Sequence, residues 1–168
     1  SIVPWLEINA KHLFGARGIV LPSRSSTHGF NNALAPDFAG GFWVGGAGWA
    51  AHFFYDYYLY TGDRKFLAEH ALPFMEKAAL FFEDYLYEGP DGKWVFSPTQ
   101  SPENTPGNTK SQGTYNATMD VAVAKELLRN TIAASRELGR NQDKVARWQR
   151  MLDKMPDYMV DERGIIKE

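Results

Sequence analysis

The stretch from Ser97 to Thr114, SPTQSPENTPGNTKSQGT, holds three prolines and seven serines or threonines but two ionisable side chains, Glu103 and Lys110. A carboxyl in such surroundings is a candidate for proton transfer. Removed from water, it keeps its proton near neutral pH and can donate it, because desolvation disfavours the charged form. Pro98, Pro102 and Pro106 limit the freedom of the loop and would hold that carboxyl in place. The competing reading is an exposed carboxylate on a connection between helices.

Other chemistries have less to work with. The chain contains no cysteine, which excludes disulfides, thiolate metal sites and a cysteine nucleophile. Its four histidines, His12, His28, His52 and His70, share no i,i+4 or HExxH spacing, and no carboxylate cluster suggests calcium. A P-loop, a dinucleotide fingerprint and GxSxG are all absent from the sequence, so neither a metal nor a cofactor is expected. His28 stands in STHGFNN, a polar loop with Asn31 and Asn32, where it either helps to bind substrate or is simply exposed.

The elements that must position these residues are helices. PWLEINAKHLFGARG places Leu6, Ala10, Leu13 and Phe14 at helical spacing, with Pro4 near the start and Gly15 or Gly18 at the end. From Ile19 to Gly48 no period is sustained; Pro22, Gly29, Asn31, Asn32 and Pro36 mark a long irregular segment. GWAAHFFYDYYLYTGD is apolar or aromatic around nearly its whole circumference, the pattern of a helix buried on all sides. RKFLAEHALPFMEKAALFFEDYL is amphipathic instead. Phe74, Ala78, Phe81 and Tyr85 run beside Met75, Ala79, Phe82 and Leu86, with Glu76, Lys77, Glu83 and Asp84 opposite. Pro73 opens its main part after a short turn at 64 to 71. The YTGD link, with Gly62 to end one helix and Asp63 to cap the next, predicts a helical hairpin.

Beyond the proline-rich loop the pattern returns. Asn116 or Thr118 is positioned to cap a helix in which Asp120 favours the positive end, and Ala124, Leu127, Leu128, Thr131, Ile132, Ser135 and Leu138 carry it to Gly139. Asn141 caps another, buried along Val145, Trp148, Leu152 and Met155 and stopped by Pro156. The tail DERGIIKE reads as a brief strand or turn around Ile165 and Ile166. The fold class is therefore all-α: an apolar inner helix, an amphipathic outer helix, a long loop and a second such pair, the alternation that an (α/α)6 toroid requires. A plain helical bundle fits the same periodicity.

Composition sets the remaining bounds. The 168 residues suit one ordinary domain with a sizeable core, and 14% aromatic residues indicate either a large core or a sugar-binding surface. A net charge of −2 without any Lys/Arg cluster argues against nucleic acid as a partner. No apolar run approaches the roughly 18 residues of a membrane span, so no membrane partner is expected. The first residues lack the pattern of a signal peptide, and the chain reads as soluble, either processed or an excised piece.

AKHLFGARGIVLPSRSSTHG, GGAGWAAHFFYDYYLYTGDRKFLAEHALPFMEKAALFFEDYL, SPTQSPEN and TMDVAVAKELL together resemble successive segments of the α-L-fucosidase family of glycoside hydrolases, family ninety-five. The SPEN loop followed by TMD is the most specific part, and the resemblance covers residues 5 to 155. It implies an (α/α)6-barrel catalytic domain, inverting hydrolysis of a terminal fucosyl linkage on an oligosaccharide, Glu103 as general acid, and a secreted or periplasmic location. It also implies that Trp43, Trp49 and His52 line the sugar site, an indole face stacking on the sugar and an imidazole bonding a hydroxyl. Packing of the two tryptophans and a satisfied histidine within a buried helix is the alternative. Segments resembling the family's asparagine-rich base motif are not found. A twelve-helix barrel needs on the order of 350 to 450 residues, so residues 1 to 168 correspond to an incomplete catalytic domain whose uncovered apolar faces would favour self-association. Other readings are an α/α-barrel glycosidase or phosphorylase acting on a different sugar, and a non-catalytic glycan-binding scaffold.

Overall fold

A computed structural model describes residues 2–29, 39–107 and 110–167. Asn31, Asn32 and Pro36 of the irregular segment lie outside the described residues. Helix α1 spans Val3–Phe14, with Pro4 in its first turn and Gly15 ending it. A short 3-10 turn, Ala39–Phe42, precedes α2, Gly46–Thr61. Gly62, at φ +68°, reverses the chain, and the Asp63 carboxylate accepts from the Phe66 N–H at 2.9 Å, as the sequence predicts.

The helical run that follows is continuous rather than a turn and then a helix. It comprises α3 (Arg64–Phe66), a π turn (Leu67–Ala71) and α4 (Leu72–Tyr85). The Leu72 N–H bonds to the Leu67 carbonyl five residues back, and this wider turn makes room for the Pro73 ring, which also brings no N–H of its own. A two-stranded hairpin of β1 (Tyr87–Glu88) and β2 (Trp94–Val95), absent from the sequence reading, leads into the proline-rich loop. Helices α5 (Thr118–Leu138) and α6 (Gln142–Asp153) complete the order, and the tail turns back through a bridge between Val160 and Ile166.

One predicted cap is corrected, and a second, Asn141, keeps the N-cap position without the side-chain bond. The N-cap of α5 is Ala117, without a side-chain bond. Asn116, at φ +51°, accepts from the Phe96 N–H at 2.8 Å, while the Thr118 hydroxyl donates to the Lys167 carbonyl at 2.5 Å. Asn141 precedes α6 but gives its side chain to Glu76 on α4, at 2.5 Å. Both asparagines tie elements together across the chain instead of satisfying the nearest helix end, a choice that tertiary structure makes and local sequence cannot show.

Cross-helix contacts fix the directions. Gly48 of α2 lies against Val123 and Leu127 of α5, His52 meets Glu126, and Arg64 pairs with Glu137. These rising pairs mean that α2 and α5 run parallel. On the other layer, Glu76 meets Lys144 and Glu83 meets Arg147 and Trp148, so α4 and α6 are parallel. Lys77 pairs with Glu7, and the Phe14 ring packs edge-on against Phe81 and Tyr85, adding α1 to that layer with the same direction. An inner pair and an outer trio, each parallel within itself, is a sector of an α/α toroid. The core lies between the layers, where Leu6, Ile19, Leu67, Met75, Phe81, Phe82, Leu128 and Trp148 are all buried.

The apolar circumference of α2 suits burial on all sides, but in this sector, as expected of uncovered apolar faces, one side of it is open. Its small residues Gly46, Ala47, Gly48 and Ala51 are buried, whereas Trp49, Phe53, Tyr57, Leu59 and Tyr60 are exposed, Tyr60 to 90%. Helix α2 packs on α5 through Gly48 and on α4 through Phe54, whose ring stacks on Phe74 at 4.8 Å. An apolar circumference records which faces are suited to burial, and here one aromatic face is left to solvent.

Close approach explains the small residues. A Cβ on Gly46 would lie 2.0 Å from the Leu21 carbonyl oxygen, and one on Gly48 2.5 Å from a Val123 methyl. Alanine at 46 adds helix propensity of about 1 kcal/mol, but collision with backbone costs about 1–3 kcal/mol and decides the sign. Gly46→Ala is therefore expected to lower the denaturant midpoint of this chain, measured by circular dichroism; an equal or higher midpoint would mean that the Leu21 segment yields freely.

Candidate functional site

The two long loops meet at the end of the molecule where α2 and α5 begin. Their junction is a carboxylate, Asp120, on the first turn of α5 and fully buried. Its Oδ1 accepts from the Trp43 indole Nε1–H at 2.9 Å. Oδ2 accepts from the Thr99 hydroxyl and, at 3.4 Å, from the Gln100 N–H. The Gly45 N–H adds a further bond. Burial pushes the Asp120 pKa up to about 7, and the hydrogen bonds from Thr99, Gln100, Trp43 and Gly45 only partly oppose it. The group therefore favours the folded state fully in acid, below its ordinary value of 3.8, and that contribution is lost as pH rises through about 7.

Asp120 lies in the first turn of α5, as its sequence position suggests, but its partners lie far away in the chain. Beyond the helix-end role read from the sequence, it makes no cap bond and is a buried acceptor linking α5, the approach to α2 and the proline-rich loop. A signal for this existed. Asp120, Ala124, Leu127 and Thr131 share the i, i+4, i+7, i+11 stripe, and all four are buried. A carboxylate on a buried stripe needs hydrogen-bond donors, whichever helix end it occupies.

From that anchor the loop is built outward. Thr99 and Thr114 exchange two backbone hydrogen bonds at 2.9 Å, closing its base. The Tyr85 hydroxyl of α4 donates to the Pro98 carbonyl. The Asn104 N–H bonds to the Ser101 carbonyl at 2.7 Å, and Gln112 Nε2 donates to the Glu103 carbonyl at 3.2 Å. Glu103 sits at the tip. Its side chain is 66% exposed, with the Arg24 guanidinium 3.9 Å away. The desolvation that the sequence reading assigns to this carboxyl is absent in this chain: a loop braced at its base still presents its tip to water. Arg24, not singled out in the sequence, comes near because the segment after α1 runs past the tip, while the Ser23 hydroxyl holds the Gly40 carbonyl at 2.8 Å.

Trp43 is buried and its N–H is committed to Asp120, so it forms part of the wall. Trp49, one turn into α2, is 49% exposed; its ring lies 6.2 Å from that of Trp43 and 5.4 Å from that of Phe53. His52 follows on the same helix, its Nδ1 2.7 Å from Glu126 Oε1 on α5 and its Nε2 3.1 Å from Asp56 Oδ2. His28 lies elsewhere, on a turn with Thr27 and Ser26, beside Gly29, whose carbonyl accepts from Asn9 of α1 at 2.8 Å. The structure therefore brings Trp43, Trp49 and His52 together along the start of α2 and connects Trp43 through Asp120 to the loop of Glu103. Among the described residues, no three His, Asp or Glu side chains group to hold a metal ion, and no helix is long and apolar enough to cross a membrane.

The hydrogen bond to Glu126 is the main cause that holds the His52 pKa above its ordinary 6.5; partial desolvation opposes it, and the charges of Glu126 and Asp56 add to the rise. Charged His52 therefore supports the α2–α5 contact below pH 6.5, and the support is lost as pH rises through the elevated pKa. Glu126→Gln is expected to lower the His52 pKa more than Asp56→Asn does, read from the imidazole Cε1–H shift by NMR. A larger effect of Asp56→Asn would reverse the assigned order of causes.

Comparison with known proteins adds identity to this geometry. A curated relative, alpha-L-fucosidase 2 of Arabidopsis thaliana, is 30% identical over 130 residues, covering 75% of this chain and 15% of its own length. The chain thus spans a small part of that relative. Among solved structures, one described as a kojibiose phosphorylase from human microbiome superposes with a TM-score of 0.71 at 15% identity, covering 96% of this chain and 22% of its own. That likeness shows the fold, an arrangement of helical hairpins from an (α/α)6 barrel. The profile of the glycosyl hydrolase family 95 catalytic domain matches residues 1–168. The chain belongs to the glycosyl hydrolase family 95 catalytic domain.

Proposed function

We propose that this chain supplies the acid-bearing sector of a longer catalytic domain that hydrolyses terminal α-L-fucosyl linkages of oligosaccharides with inversion. Glu103 protonates the leaving-group oxygen. The observation that carries the reading is the loop itself: its base is fixed by the Thr99–Thr114 pairing and by Asp120, while its tip offers one carboxyl at the end where α2 and α5 begin. A donor must be both held and reachable, and this loop meets both demands. The name of the Arabidopsis relative supports the fucosyl substrate.

Inversion requires a second carboxylate about 6.5–9.5 Å from the first, with a water between them. Asp120 is unsuited to that role because both of its oxygens already accept from Trp43, Thr99 and Gln100. The base therefore comes from chain beyond this sector. The same additional chain would cover the aromatic face of α2 and enclose the tip of the loop. Trp49, half-exposed, stacks on the sugar, and His52 lies a turn below it.

In the longer protein, Glu103→Gln is expected to lower kcat on an aryl or oligosaccharide α-L-fucoside by about a hundredfold or more; unchanged turnover would remove Glu103 from the mechanism. The 168-residue chain alone, with Trp49, Phe53, Tyr57 and Tyr60 uncovered, is expected to self-associate. Sedimentation velocity over a concentration series checks this, and a monomer at every concentration would contradict it.

A further inference from the structure

We propose that Asp120 is a positioning residue of the reaction, one buried carboxylate that fixes the loop carrying Glu103 relative to Trp43 and the start of α2. The proposal rests on the assignment of Glu103 as the proton donor. Asp120 itself touches neither the sugar nor the transferred proton; it acts through the groups it holds.

The geometry of its contacts carries the proposal. It is fully buried and its four donors come from two segments far apart in sequence, Trp43 and Gly45 before α2 and Thr99 and Gln100 in the loop. A Cβ at position 45 would stand 2.4 Å from Asp120 Oδ1, so the backbone there is drawn against the carboxylate as closely as glycine permits. On the loop side the connection continues to the acid. Gln100 bonds to Asp120 through its N–H, its Nε2 reaches Gln112 Oε1 at 3.5 Å, and Gln112 Nε2 donates to the Glu103 carbonyl at 3.2 Å. The order of these amides is dictated by its last member. Glu103 offers a carbonyl, so Gln112 must donate to it and turn its oxygen to Gln100, which must then donate in turn. Gln100 Oε1 is left buried without a donor, a cost accepted to keep the direction of the chain.

The four donors are not equivalent when Asp120 takes up a proton. Trp43 Nε1–H and the two backbone N–H groups can only donate, whereas the Thr99 hydroxyl can turn and accept. Protonation on Oδ2 thus reverses the Thr99 bond and weakens the contact with Gln100, while Oδ1 keeps Trp43. Facing this group from α4 is Tyr85, whose hydroxyl is held by the Pro98 carbonyl and whose pKa burial drives upward, so it stays neutral. From the other elements packed against it, the approach to α2 and the loop contribute uncharged donors.

The test has two arms. In the 168-residue chain, the Trp43 indole 1H–15N signal is expected to titrate with a midpoint near the value given above for Asp120, and Asp120→Asn should abolish that titration; an indole signal that ignores both pH and the substitution would overturn the proposal. In the longer protein, Thr99→Val removes one donor at nearly constant shape. Displacement of a reacting group by about 1 Å costs roughly a hundredfold in rate, so Thr99→Val and Asp120→Asn are each expected to lower kcat at least tenfold with KM within about threefold. Thr99→Ser, which restores the hydroxyl, should recover most of the loss. Should Asp120→Asn fail to fold, the Thr99 pair decides alone. Wild-type kcat in Thr99→Val, with Glu103→Gln inactive, sinks this inference but leaves Glu103 as the acid; full activity in Glu103→Gln sinks the assignment on which it rests.

Discussion

A carboxylate enclosed by protein, accepting hydrogen bonds from two loops that the sequence keeps 50 or more residues apart, is the constraint around which this end of the molecule is organised. Asp120 cannot be left without donors, so wherever α5 begins, Trp43 and Thr99 must follow it. The consequence is geometric rather than chiefly stabilising. Burial of the charge is costly, as its raised pKa records, and an apolar residue of similar volume would offend solvation less. What the carboxylate supplies is a fixed meeting point for the approach to α2 and the loop that ends in Glu103.

The layers behind that point are held by more ordinary means. Close packing of Gly46 and Gly48 against Leu21 and Val123 lets α2 approach its neighbours, and the Phe74, Phe81 and Phe82 side of α4 fills the space between the layers. Ion pairs such as Arg17–Asp84 and Arg147–Glu83 mark the outer surface and contribute little each. Their value for the fold is in register: Lys77–Glu7, Glu76–Lys144 and Glu83–Arg147, with the Phe14–Phe81 contact, match successive positions on neighbouring outer helices, so α1, α4 and α6 run the same way. Of the inner helices, α2 turns its small residues Ala47, Gly48 and Ala51 inward and leaves Trp49, Phe53, Tyr57 and Tyr60 exposed, whereas α5 buries Val121, Leu127, Leu128 and Ile132.

Much of this was legible in the sequence because it depends on local period and on turn chemistry. The stripe of Phe74, Ala78 and Phe81, the reversal at Gly62 and the Asp63 cap are properties of a few consecutive residues, and they predict the hairpins. The errors share a cause. Asn116, Asn141 and Asp120 all have a local role available at a helix start, and each is recruited by a partner distant in the chain: Phe96, Glu76, and Trp43 with Thr99. Side chains that can bond equally well nearby or far away carry no mark in the sequence of which they choose. For Asp120 alone the helical stripe around it held the answer. The β1–β2 hairpin was missed for another reason, since strands of two residues are too short to show alternation.

The candidate site divides along the same line. Glu103 stands out by composition, as a charge where there are few, and composition survives without structure. Its environment does not, because desolvation is made by whatever covers the loop. In this chain Glu103 is open to water beside Arg24 while Asp120 is sealed among neutral donors. The Asp120 carboxylate, joined through Gln100 and Gln112 to the main-chain carbonyl of Glu103, and the Glu103 carboxylate beyond it thereby have opposite surroundings, an arrangement that sets the chemistry of like groups apart. The enclosed one can hold but cannot reach a substrate, and the open one can reach but must be held. A loop that unites them needs a rigid base and a free tip, and the prolines, the paired threonines and the buried anchor are what give this loop both.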